Sequence, residues 1–359
     1  MKRKYYSLKK ILAEKADYNM IIGERSNGKT YAALEHIIKE YVAGRGEGAY
    51  IRRWKDDVTG KRAENVFSAL CGEHLETLTN GEWDNIIYSR GGWHLARYDP
   101  DKKKMRADRI AFCHAFSLSD SEHDKSTSYP QIVNIVFDEF LSRRYYLPDE
   151  FVIFMNVLST IIRDRDNIKI FMLGNTVNKF CPYFSEMGLH NIDKMAQGAI
   201  DVYSFGNELK IAVEYCNETQ AKKSNKFFSF DNPRLGMITK GKWEIAIYPH
   251  LPQGYKIDPQ NIVYSFAIAF NGKLCGCDVV AQNEDTFLFV RPKTTAVHDT
   301  ELVYTMDYAP SPNVRKSFLN PIDRVDKKVL SFFRCNRVFY QSNDLGEFVR
   351  NYLNTCARE

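Results

Sequence analysis

The sequence has no Cys-x-x-Cys pair. Its eight cysteines, at 71, 113, 181, 216, 275, 277, 335 and 356, lack the histidine spacing of a zinc site, which excludes a zinc-finger framework and fits reduced thiols in a cytosolic protein. Cys275 and Cys277, the one close pair, suit alternate positions of a strand better than a metal site. Long apolar runs are also missing: the longest, around Ile262 to Phe270, is far too short to cross a membrane. The basic N-terminal residues are not followed by the apolar region of a signal peptide. The expectation is a soluble, unexported protein with no membrane partner. Nor is there an internal repeat or a low-complexity tract. The excess of positive charge, +5, is too small to define a nucleic-acid-binding chain by itself. The clusters Lys2-Arg3-Lys4, Arg52-Arg53-Trp54-Lys55, Lys102-Lys103-Lys104 and Lys222-Lys223 are more informative, although solvated surface explains each of them simply.

What is present is enough to fill more than one core. At 359 residues, with 44% hydrophobic and 13% aromatic content, two domains are expected. Tyr18 to Ile22 reads as a buried strand, and Ala33, Leu34, Ile37, Ile38, Tyr41 and Val42 recur at helical spacing until Gly44. Ala49 to Arg53 is a second strand. Trp93 to Tyr98 and Arg109 to Phe116 flank Asp99-Pro100-Asp101-Lys102-Lys103-Lys104 as a β-hairpin with a basic tip. Ile132 to Phe137 and Ile168 to Leu173 are nearly continuous apolar runs, as central parallel strands require, and Phe151 to Ile162 is helical between them. The alternation predicts an α/β domain over 1–205 with a parallel central sheet. A polar, lysine-rich connector follows within 206–238. A smaller α+β domain over 239–359 carries strands at Glu244 to Tyr248, Ile262 to Phe270, Cys275 to Ala281 and Thr286 to Val290, then helices around Val329 to Phe333 and Leu345 to Leu353.

Between the first strand and its helix stands Gly23-Glu24-Arg25-Ser26-Asn27-Gly28-Lys29-Thr30, a P-loop pattern in which each residue type has a task. Glycines let backbone N–H groups turn toward phosphate oxygens at a helix N-terminus. Lys29 would pair with the β and γ phosphates of ATP, and Thr30 would offer its hydroxyl to Mg²⁺. Phe137-Asp138-Glu139 brings two carboxylates to the C-terminal end of a buried strand, Asp138 for the metal and Glu139 to activate water. Asn175, at the end of the next strand, could sense the γ-phosphate, and a polar turn explains it equally well. Arg25 lies within the loop and could reach the γ-phosphate. Arg163 and Arg165 follow the helix, and one of them is a candidate arginine finger acting across a subunit boundary.

Together these residues resemble the DNA-packaging (encapsidation) ATPases of small phi-29-like tailed phages. The matching stretches are Ile22 to Tyr31, Tyr50 to Lys55, Lys125 through Phe140, Ile162-Arg163-Asp164-Arg165, Leu173-Gly174-Asn175 and Pro182-Tyr183-Phe184. The resemblance implies a RecA-like P-loop ATPase in a ring of identical subunits, commonly five. Such a ring docks on a phage portal in the host cytoplasm, transiently attached to the procapsid, and drives double-stranded DNA into it; a structural RNA partner is left open. It also implies that Arg163 rather than Arg165 is the finger acting in trans, and that Lys55 and Lys125 lie near the channel or interface. Arg52, Arg53 and Lys102, Lys103 and Lys104 are the further DNA candidates. The family's C-terminal domain is similar to an RNase H-type nuclease that no longer cleaves. Tyr264 to Phe270, where such a nuclease places its first metal-binding acid, has none, and Asp278 alone would not hold two metals.

Other classes share part of this pattern. A cellular RecA-type helicase or DNA-pumping ATPase would use the same nucleotide residues and differ in its substrate. A GTPase-like switch would need an Asn-Lys-x-Asp motif, and Asn178-Lys179-Phe180-Cys181 lacks the aspartate. A metabolite kinase must exclude water, which the acid at 139 would instead activate.

Overall fold

The computed structural model describes residues 5–124, 128–142, 146–178, 181–206, 208–217, 243, 246–306 and 311–357. The chain divides into two compact units, Met1–Glu244 and Ile245–Glu359.

In the first unit, helix α1 (Lys9–Ala13) precedes β1 (Tyr18–Gly23), which runs through the glycine loop into α2 (Lys29–Val42). Strand β2 (Glu47–Arg52) and short helices α3 (Gly60–Glu64) and α4 (Glu73–Leu78) lead to β3 (Asn85–Ser89), β4 (Gly92–Asp99) and β5 (Lys104–Ala107). Then come β6 (Cys113–Ser117), β7 (Ile132–Asp138), α5 (Glu150–Ile162), β8 (Lys169–Asn175), α6 (Pro182–Glu186), β9 (Ile200–Phe205) and β10 (Leu209–Tyr215). Among the described residues these strands form one sheet in the order β3-β4-β6-β2-β7-β8-β1-β10-β9, with β5 paired to β4. Every pairing from β6 through to β10 is parallel.

The parallel strands are apolar on both faces because helices cover both. Ile21, Val136, Phe171 and Leu173 point to one side, where they meet Ala33, Leu34, Ile37 and Ile38 of α2. Their neighbours Met20, Ile22, Phe137 and Met172 point to the other, against Phe154, Val157, Leu158 and Ile161 of α5. Truncating one fully buried ring of this kind, Phe137 to alanine for example, costs ~3–5 kcal/mol.

Three expectations are corrected here. The hairpin strand opposite β4 is Lys104–Ala107, not Arg109 to Phe116. The Asp99 side chain accepts the N–H groups of Asp101 and Lys102, so the chain turns back at once. The later segment contributes β6, which does pair antiparallel with β4, at Gly92 and Trp93, and joins β2 in parallel on its other side. A domain boundary at 205 falls too early, because β10 pairs in parallel with β1 inside the sheet. The polar connector expected at 217–225 lies, beyond Asn217, outside the described residues. Finally, 246–248 is not a strand, and 244–245 is outside the described residues.

The second unit is α+β. Its strands are β11 (Ile262–Phe270), β12 (Lys273–Gln282), β13 (Asp285–Pro292), β14 (Val303–Thr305) and β15 (Val314–Arg315), then α7 (Arg324–Arg334), β16 (Val338–Tyr340) and α8 (Asn343–Cys356). The sheet order is β15-β14-β11-β12-β13-β16. β11, β12 and β13 are antiparallel neighbours, whereas β14 runs parallel to β11 and β15 parallel to β14. Asp323 and Ser342 cap α7 and α8 by accepting the N–H groups of Asp326 and Leu345. Phe348 and Tyr352 of α8 pack against Phe270 of β11. Cys275 and Cys277 are both buried on β12, two residues apart, as alternate strand positions require.

Candidate nucleotide site

The loop from Gly23 to Thr30 leaves the C-terminal end of β1 and turns directly into α2. Gly28 makes that turn with a φ of 95°, where a side chain would add roughly 1–2 kcal/mol of strain. Asn27 braces the loop from within, its Oδ1 accepting the Lys29 N–H at 3.1 Å. The Lys29 ammonium is almost fully buried. It donates to the Glu24 carbonyl at 2.9 Å and to Asn175 Oδ1 at 2.7 Å. Burial lowers its pKa, and surrounding negative groups, Asp138 among them, work in the opposite direction.

β7 delivers the acids from two strands away. Thr30 Oγ1 donates to Asp138 Oδ1 at 3.3 Å, and the Tyr50 hydroxyl donates to Asp138 Oδ2 at 3.0 Å. Burial pushes the Asp138 carboxyl up from its ordinary value, and the Arg52 guanidinium opposes that shift. Glu139 comes next, in a left-handed conformation with φ 60°. Its side chain remains half exposed, with Oε2 2.7 Å from Arg52 Nη2. The turn after Glu139 lies flat on β8 because Gly174 has no side chain: a Cβ there would sit 2.7 Å from Leu141 and 2.9 Å from Phe140. A cavity of about 270 Å³ lies among Arg25, Lys29, Thr30, Asp138, Glu139 and Asn175. A second cavity of similar size shares Arg25, Glu139 and Asn175 and extends to Arg52 and Trp54.

Most of the residues singled out in the sequence therefore meet at one place, but several basic candidates do not act as expected. Arg53 is no DNA contact: its guanidinium is buried against Glu150, at 2.7 Å from Nε to Oε2, and also donates to the Phe140 carbonyl. Arg52 points inward to Glu139 and Asp57. Arg165 is a brace, donating to the carbonyls of Tyr129, Pro130, Ile132, Ile161 and Ile162. Arg163 is exposed at the end of α5 with a φ of 49° and is not among the residues that line the two cavities. Lys55 is exposed and 2.6 Å from Asp120. Lys102, Lys103 and Lys104 are exposed at the hairpin tip, and Lys125 lies outside the described residues. Two contributors, Tyr50 and Arg52, were not anticipated at the nucleotide site. Their common strand face is legible in the alternation Tyr50-Ile51-Arg52, but their carboxylate partners lie more than eighty residues away.

A loop at the end of a parallel strand, a helix N-terminus and two facing carboxylates define an α/β fold equipped to receive a phosphate chain. The chain is similar to proteins named for phage DNA packaging. A family model describing the Podovirus DNA encapsidation protein (Gp16) matches residues 101–227. The DNA packaging protein of Bacillus phage B103 is 30% identical over 176 residues, 48% of either chain. That of Bacillus phage phi29 is 27% identical over 185 residues, 50% of this chain and 49% of the relative. The chain thus spans about half the length of the curated relatives it matches. A chain of the bacteriophage Phi-29 viral genome packaging motor assembly aligns over 98% of this chain and 99% of its own, with a TM-score of 0.59 and 18% identity. A chain of the Phi-28 gp11 DNA packaging motor gives 0.57, at 17% identity and 98% of both chains. At such identities the likeness is one of fold, and it extends over both units. Among the described residues no helix is long and apolar enough to cross a membrane.

Proposed function

We propose that the protein is a viral DNA-packaging motor ATPase, coupling ATP hydrolysis to movement of double-stranded DNA into a procapsid. The observation that carries this reading is the meeting of Lys29 and Thr30, at the head of α2, with Asn175 and Asp138, at the ends of neighbouring parallel strands, around one cavity. The match to the Podovirus encapsidation family and the similarity to Bacillus phage packaging proteins support the DNA-packaging half of it.

In this reading the triphosphate takes over the loop N–H groups, and the Lys29 ammonium exchanges a neutral carbonyl and amide for phosphate oxygens. Thr30 and Asp138 fit Mg²⁺: both offer hard oxygen donors, and the donors to the buried Asp138 carboxylate are neutral ones, the Thr30 and Tyr50 hydroxyls and the Glu139 N–H. When bound, Mg²⁺ supplies positive charge to the phosphate oxygens. Glu139 orients and deprotonates the attacking water, which requires its ion pair with Arg52 to open. Asn175 senses the γ-phosphate through the same amide that holds Lys29, and Arg25 reaches it from the loop. Arg163, exposed and strained, serves the site of a neighbouring subunit, so the working form is a homo-oligomeric ring of about five subunits docked on the portal, in keeping with the in-trans habit of arginine fingers. It acts at the procapsid in the host cytoplasm.

The second unit is read as an RNase H-like domain that does not cleave. Its first five strands, three antiparallel ones with two more added in parallel beside β11, support that fold, and β16 extends the sheet in parallel at β13. The middle of β11 carries Ser265 opposite Asp278. Asp278 accepts from Ser265 and forms an ion pair with Arg291, which leaves it poorly placed to hold metal. Among the described residues no group of three metal-ligating side chains occurs.

The test is ATP turnover of the purified chain with and without double-stranded DNA, with Glu139→Gln alongside. DNA-stimulated hydrolysis that disappears in the variant is expected. Unchanged turnover in Glu139→Gln removes that residue from its role, and stimulation by single strands alone turns the reading toward a helicase.

A further inference from the structure

Resting on the nucleotide reading above, we infer that the second cavity is the passage by which inorganic phosphate leaves the site after cleavage. The sheet gives the site a direction. Strands β1, β8, β7 and β2 lie side by side and parallel, so their C-terminal ends share one edge. Along that edge come the loop with Lys29, then Asn175, then Asp138 and Glu139, and last Arg52, Arg53 and Trp54. In the nucleotide reading the phosphate chain runs from the loop toward the acids. The second cavity reaches past them to the end of β2, one strand further from β1.

Glu139 lines both cavities, as Arg25 and Asn175 do, so the water that it orients stands where the two meet. In phosphoryl transfer the attacking and leaving oxygens are roughly in line. As the water oxygen bonds to the γ-phosphorus and yields a proton to Glu139, the bond to the bridging oxygen breaks and its electron pair stays on ADP. The phosphoryl group therefore moves away from ADP, toward the second cavity, while ADP still fills the first. At about 270 Å³ that space holds a phosphate with several waters, each of which takes roughly 30 Å³ in the liquid. Its charges suit passage and not storage. Arg53 is compensated by Glu150. The rest of the lining balances Arg25 and Arg52 against Glu139 and Asp57, and both of these acids pair with Arg52. Trp54, 46% exposed, brings the far end to solvent. An anion can enter such a space without being trapped there, which is what conduction through any ion path requires.

Rapid mixing of the full chain with MgATP and double-stranded DNA, read in two ways, tests this. Acid quenching counts all the phosphate cleaved, and a fluorescent phosphate sensor counts only what has left the protein. Val177 is partly buried and lines the second cavity but not the first, so bulk added there narrows the passage alone. In Val177→Phe the delay between cleavage and free phosphate is expected to lengthen about tenfold, with native cleavage rate and ATP affinity. Val177→Leu should lengthen it less and Val177→Ala not at all, which keeps the test open if the phenylalanine variant does not fold. Native delays in both Val177→Phe and Val177→Leu overturn the assignment. Equal slowing of cleavage and release overturns it too, because Val177 is then a support of the reacting site. Phosphate that appears only as labelled ADP dissociates has left by the first cavity, which also overturns it. A native chain that cleaves no ATP removes the nucleotide reading itself.

Discussion

Lys29 Nζ donates a 2.7 Å hydrogen bond to Asn175 Oδ1, so the loop lysine and the end of β8 form one connected unit. Changing the amide changes what Lys29 holds before nucleotide arrives. In Asn175→Asp a carboxylate would stay on the ammonium and repel a triphosphate, and nucleotide affinity should fall at least about tenfold. Asn175→Ala removes a single neutral acceptor and should cost no more than about 1 kcal/mol of binding, with a larger loss in turnover. Equal affinities in the two variants, measured by titration, would detach Asn175 from the phosphate chain.

Asp138 gives a prediction in which stability and function oppose each other. Burial raises its pKa in the folded chain above the unfolded value, so the folded state holds the proton more tightly. The cost of the buried charge is therefore fully present at neutral pH, and it fades as pH falls through the raised value toward the unfolded one. Asp138→Asn should stabilise the nucleotide-free protein at pH 7 by on the order of 1 kcal/mol, a common gain where a functional site is strained. That advantage should shrink as the solution is acidified, and MgATP should no longer raise the melting temperature. A variant less stable than the native chain at pH 7 contradicts the argument.

Arg53 belongs to the core. It shares a buried bidentate pair with Glu150, whose carboxylate also accepts the Tyr183 hydroxyl at 2.8 Å and the Leu147 N–H at 2.7 Å. Arg53→Ala would leave that carboxylate buried and uncompensated, at a cost of ~3–5 kcal/mol. Urea unfolding should show the loss, and Arg53→Ala combined with Glu150→Ala should lose less than the two single variants together. Strict additivity would mean that the pair is not coupled.

These residues also mark how far the amino-acid order could be read. β1, β7 and β8 were legible because a strand covered on both faces must be apolar throughout, and the glycine loop because few other patterns place Gly, Lys and Thr so. The direction in which an arginine points was not: Arg52 and Arg53 are neighbours in a basic run, yet their partners, Glu139 and Glu150, lie 87 and 97 positions away. β10 was hidden for a related reason. It begins with the exposed Leu209 and Lys210, and its membership of the sheet is decided by β1, almost two hundred residues earlier. β5 and β16 are only four and three residues long, too short for a periodicity to declare itself.

The hairpin tip is the remaining basic candidate for DNA. Lys102, Lys103 and Lys104 are exposed, and the ion pair of Lys102 with Asp99 at 3.5 Å lies on the surface, where such pairs add little to stability. Replacing all three with alanine should therefore leave the unfolding transition in place. If they contact phosphates, each contributes about −0.9 to the slope of log affinity for duplex DNA against log salt. The triple variant should then bind DNA more weakly at low salt, with a slope shallower by roughly 2 to 3 and little change between DNA sequences, since phosphate contacts carry no base information. A slope equal to that of the native chain would place the DNA path elsewhere on the protein.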